Sequence, residues 1–99
     1  MGTSQDYSRP VRMTESGQAL NRATRVSALT VNPVDQDTIV NLRDGNAAGP
    51  ILWTAEADNA SSSYTQNFNP PLIFANKLYI EFVVKGDQSS ACLALVEPL

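Results

Sequence analysis

Ninety-nine residues, 42% hydrophobic and 17% charged, suit a single domain with a modest core and a surface either partly covered by neighbours or built from Ser, Thr, Asn and Gln. A formal charge of -3 argues against nucleic acid as the main partner; the lack of histidine removes Ser-His-Asp triads, Cys-His pairs and histidine metal ligands, and a lone cysteine excludes an intrachain disulfide. No apolar stretch approaches a membrane span and no basic start leads into a hydrophobic signal core, so the chain is expected to be soluble, free of membrane contact and made in a cytoplasm.

The first segment, MGTSQDYSRPVRMTESGQALNRAT, has scattered apolar residues and no sustained period, and reads as an extended N-terminal arm over residues 1–24. Arg9, Arg12, Arg22 and Arg25 against Asp6 and Glu15 put +2 on residues 1–25 and leave -5 on the rest. An arm of this kind suits an acidic surface on another protein or on a second copy. Tyr7, Val11, Met13 and Leu20 are its expected apolar anchors, because exposed ion pairs alone contribute little.

From Arg25 onward, short runs rich in Val, Ile, Leu, Thr, Tyr and Phe alternate with turn residues. The expected strands are 25–32, 38–43, 51–57, 63–68, 72–74, 78–85 and 91–96. The clearest is LYIEFVVK, where Leu78, Ile80, Phe82 and Val84 share one face; with Leu42, Trp53 and Leu93 they are the expected core. Asn32 to Asp37, Asp44 to Pro50, Asp58 to Ser62, Asn69-Pro70-Pro71 and Gly86 to Ser90 supply the turns. No stretch carries a helical period over a useful length. The chain over residues 25–99 therefore reads as all-β, a small antiparallel β-sandwich of Ig-like or jelly-roll type.

Few residues suggest chemistry. Asp35 and Asp37 share a loop and Asp44 ends a neighbouring strand, but the spacing lacks the further oxygen ligands of a calcium loop. Gly45 and Gly49 bracket a loop without the Lys-Ser/Thr or the helix that a phosphate site requires. Arg43-Asp44-Gly45 reads as a strand connection, with Asp44 bonding to backbone amides and Arg43 pairing across the sheet or with another chain. Trp53, Tyr64, Phe68 and Tyr79 are weighed as core against a sugar-binding platform; Tyr64, in SSSYTQNF, is the expected exposed contact. Cys92 sits in an apolar strand and reads as a small buried hydrophobe. No catalytic, cofactor-binding or metal-binding residue is assigned.

The order RVSALTVNP, TIVNLRDGNAAGPILW and PPLIFANKLYIEFVVKGDQSSACLALV resembles small virion proteins of tailed bacteriophages, β-sandwich polypeptides on the capsid or at the neck and tail. Leu42-Arg43-Asp44-Gly45 and Phe74-Ala75-Asn76-Lys77-Leu78-Tyr79 carry the likeness, which spans Arg25 to Val96; Lys77 stands where such families often have Gly. The resemblance implies a structural role without catalysis. It points to a homo-oligomeric capsid decoration or cement protein located on the virion, with the major capsid protein or other virion proteins as partners. A neck or tail protein, or a small carbohydrate- or receptor-binding module, is the alternative.

Overall fold

Alternation of apolar and polar residues, punctuated by Pro, Gly, Asn and Asp, builds eight strands in the computed structural model, which describes residues 9–58, 63–85 and 90–99. They are β1 (Arg9–Met13), β2 (Gly17–Leu20), β3 (Thr24–Asn32), β4 (Thr38–Asp44), β5 (Ile51–Ala57), β6 (Tyr64–Phe74), β7 (Leu78–Val84) and β8 (Ala91–Pro98). No helix occurs among the described residues. One four-stranded antiparallel sheet runs β1-β8-β3-β6 and the other β2-β7-β4-β5. The pairs β4 with β5, β3 with β6, β2 with β7 and β1 with β8 are nested like the two legs of one long hairpin. Successive pairs fall in opposite sheets.

The inward faces of both sheets share one buried cluster, including Val26, Leu29 and Val31 of β3, Val40 and Leu42 of β4, Phe74 of β6, Leu78 and Ile80 of β7, and Cys92, Ala94 and Val96 of β8. On β3 the inward set steps by three from Val26 to Leu29, where the register with both neighbours shifts. The extra residue of this bulge keeps both halves of the apolar set facing inward; without it, one half would turn to solvent.

Several expectations change. The segment read as an arm is folded into the sheets from Arg9 onward: β1 pairs with β8 and β2 with β7, at one edge of each sheet. The reason is local. Val11 and Met13 alternate on β1, and together with Ala19 and Leu20 they pack against the core, which a free arm would leave exposed. Tyr7 and the rest of residues 1–8 lie outside the described residues.

Strands expected at 63–68 and 72–74 are one strand, β6, with a register shift against β3 and a cis peptide bond between Asn69 and Pro70. β6 is an edge strand, so the missing proline N–H groups break no ladder on its free side. Leu93, expected in the core, points to the outer face, where it is half-buried between Arg12 and Thr30. Cys92, Ala94 and Val96 take the inward positions, opposite Val31, Leu29 and Val26. Small side chains on the central strand leave room for the large ones beside them.

Leu78 and Ile80 are fully buried as expected, but Phe82 and Val84 are half-buried. The partner strand β2 covers β7 only from Leu78 to Ile80. Beyond it, the Phe82 N–H donates to Ser16 Oγ at 2.8 Å and the Lys85 ammonium lies 5.4 Å from the Phe82 ring centroid. Trp53, also expected in the core, is half-buried between edge strands β5 and β6.

Candidate functional site

The β4–β5 connection places Arg43 and Asp44 in contacts that hold the fold. Asp44 Oδ1 accepts from the Asn76 and Lys77 amides at 3.0 and 3.3 Å, and Oδ2 from the Ala75 amide at 3.2 Å. One carboxylate thus clamps the whole turn between β6 and β7. Gly45, at φ 106°, lets the chain leave β4 in a conformation that L side chains rarely adopt. A Cβ on Gly49 would collide with the Asp44 carbonyl, so the hairpin closes only around glycine.

Across the outer face of the second sheet runs a polar ladder. Arg43 Nε donates to Glu81 Oε1 at 2.9 Å and its Nη1 to the Gly49 carbonyl at 2.6 Å; Asn41 Nδ2 donates to the same Glu81 oxygen at 3.0 Å. Thr54 Oγ1 donates to Asn41 Oδ1 at 2.7 Å. Asn41 and Glu81 are register partners on β4 and β7, so their contact follows from strand pairing.

Hydrogen bonds from Asn41 and then Arg43 hold the Glu81 carboxyl below its ordinary value of 4.5. The ionised form therefore contributes stability that is fully present above about pH 4.5 and is lost as pH falls through the lower folded value. Glu81→Gln should remove that part of the acid dependence. In chemical denaturation scanned from neutral to acid pH, the gap between wild type and variant should narrow below that window; a constant gap would show that Glu81 ionisation is not linked to folding.

The aromatic residues turn inward. Trp53 meets Phe68 edge to face, with centroids 4.9 Å apart and planes at 81°, and Trp53 Nε1 donates to Tyr64 Oη at 3.3 Å. Tyr64, the expected exposed contact, is half-buried at this seam between β5 and β6. Its hydroxyl is engaged because a tyrosine on the inward register of an edge strand needs a partner for its polar tip. Tyr79 is half-buried on the outer face of β7, away from these three.

Burial pushes the Cys92 thiol up to about 12, which leaves it inert as a nucleophile. Asp35, at φ 74°, and Asp37 sit in the β3–β4 connection, at the end of the molecule opposite Asp44. Among the described residues, no three His, Cys, Asp or Glu side chains are grouped to hold a metal ion.

The residues expected to bind a partner separate in space. Val11, Met13 and Leu20 pack on the protein's own core. Arg12 projects from the outer face of β1, in register with Leu93. Arg25 pairs with Glu97 at 3.4 Å. Arg9 and Arg22 come together with Pro98 and Leu99 around a cleft where β1, β3 and β8 converge. Both are exposed, and neither has an ion pair or hydrogen bond among the described residues. At the opposite end, Asp37, Ile39, Glu56, Ala57 and Asp58 line a second cleft. Sequence reasoning paired Arg9 with Arg22 only as members of a basic segment; their meeting depends on two edge strands too short to show a clear period.

No protein-family model, curated protein or solved structure matches the chain.

Proposed function

We propose that this chain is a non-enzymatic structural protein of a tailed-bacteriophage virion, a jelly-roll sandwich that works as a homo-oligomeric capsid decoration or cement protein on the major capsid protein. The nested pairing of β1 with β8, β2 with β7, β3 with β6 and β4 with β5 carries this reading. It is the strand order of a long hairpin rolled into two facing sheets, an architecture found in viral capsid and lectin domains. The step from that architecture to a virion role is analogy, joined to the resemblance described above.

Two features favour the structural role over a sugar-binding one. Trp53 packs edge to face on Phe68 and donates to the Tyr64 hydroxyl at the seam between the sheets, so the three aromatic side chains engage one another through Trp53. Arg43, Asp44 and Glu81, residues able to move or stabilise charge, are tied to backbone and to one another. The decisive experiment is mass spectrometry and cryo-electron microscopy of the purified parent particle. The reading expects the chain as a stoichiometric component with density repeated over the head shell. Density confined to the neck or tail would reassign it there, and its absence from purified particles would overturn the virion role.

A further inference from the structure

Charge is divided in the structure between two ends of the molecule, and the division cuts across the basic first segment: Arg12 and Glu15 lie toward one end, Arg9, Arg22 and Arg25 toward the other. Register places Thr24, Phe74, Pro98 and Leu78 at one end and Asn32, Ala91, Thr38 and Ala57 at the other. Among the described residues, the first end carries Arg9, Arg22, Arg25 and Lys77 against Asp44 and Glu97, a net +2. Both of its carboxylates are already engaged, Asp44 by turn amides and Glu97 by Arg25. The described charged residues of the second end are Glu15, Asp35, Asp37, Glu56 and Asp58 against Lys85 and Arg12, a net -3. Between them, Arg43 and Glu81 neutralise each other.

We infer that copies of this chain associate head to tail, the acidic end of one entering the Arg9–Arg22 cleft of the next. The two clefts match in kind as well as in sign. Pro98 and Leu99, the latter 47% exposed, give the basic cleft an apolar floor, and half-buried Ile39 does the same between the acidic residues of the other. Apolar contact supplies affinity, while the opposed charges set orientation and speed encounter. An interface between two different patches is heterologous, so it repeats into a ring where the rotation closes and into a filament where it does not. Like-to-like contact of either end is disfavoured by repulsion. This inference deepens the oligomeric part of the proposed function and rests on it; its test uses the purified chain without particles, so its failure leaves the virion assignment to the microscopy.

Sedimentation velocity of the full chain at about 100 µM and about 50 mM salt should show oligomers that dissociate at about 500 mM salt, where screening shortens to a few ångströms. Arg9→Glu with Arg22→Glu should be monomeric, as should Glu56→Lys with Asp58→Asn, each keeping the wild-type circular dichroism spectrum. Mixed one to one, the two variants should form a dimer and nothing larger, because each retains one competent end. If either pair misfolds, Arg22→Glu and Glu56→Lys alone replace it, with at least about a ten-fold weaker association expected. A wild-type monomer at low salt, variants that assemble as the wild type does, or a mixture that stays monomeric would each overturn the inference.

Discussion

Deletion of residues 2–22 is expected to abolish folding. It removes β1 and β2 together. Val11, Met13 and Leu20 lose their burial against the core, and at about half burial each that is roughly 3 kcal/mol in total. Fully buried Ala94 and Val96 lose the strand beside them, as do Leu78 and Ile80. The combined loss is comparable with the entire net stability of a small domain, about 5 to 15 kcal/mol. Thermal unfolding followed by circular dichroism decides the matter. A deletion of 2–22 that melts cooperatively at the full-chain temperature would show that the two strands add nothing to the body. For the same reason, truncation of this segment cannot separate partner binding from folding, and point substitutions at Arg9 and Arg22 are the cleaner probe.

How much of this was legible in the sequence differs along the chain. β5 was readable residue for residue and β3, β4 and β7 to within one or two, because each has at least seven residues in a recognisable alternation flanked by turn chemistry. β1 and β2 have five and four residues, one interrupted by Pro10 and the other opening on Gly17, and so short a run shows no period. Pairing with the edges of β8 and β7, together with the inward packing of Val11, Met13, Ala19 and Leu20, makes them strands. β8 offered apolar residues on both faces, ACLALV, so alternation alone could not decide between Cys92 and Leu93. The register with Leu29 and Val31 decided it.

The chemistry divides in the same way. Asp44 as a backbone clamp and Arg43 as a cross-sheet partner were readable from Asp-Gly at a strand end, since the local reason is contained in adjacent residues. Glu81 and Asn41, 40 residues apart, meet only through strand register. The two charged ends were invisible for a related reason. Nested pairing brings Arg9 and Arg22 beside Pro98, and the chain alternates between ends with every strand, so spatial polarity leaves no block of like charge in the sequence.

Phe74→Ala should cost about 3 to 5 kcal/mol and Phe82→Ala distinctly less, about 1 to 2 kcal/mol, although both positions lie on inward registers. Phe74 has no exposed surface and sits in the shared cluster, in register with Thr24 at the end of β6. Removing its ring leaves a cavity that the neighbouring strands, fixed by their ladders on both sides, cannot collapse to fill. Phe82 lies past the end of β2, and its ring is covered by the Lys85 side chain, whose ammonium also donates to the Thr14 carbonyl. Truncation there uncovers a site that solvent and the lysine stem can refill, so the cavity contribution shrinks and the transfer contribution is only partial. For a domain of this size each kcal/mol moves the midpoint by about 4 to 8 °C, which separates the two variants clearly in a thermal scan. Equal losses, or a larger loss at Phe82, would mean that β2 extends farther along β7 than the pairing of Gly17 with Ile80 allows.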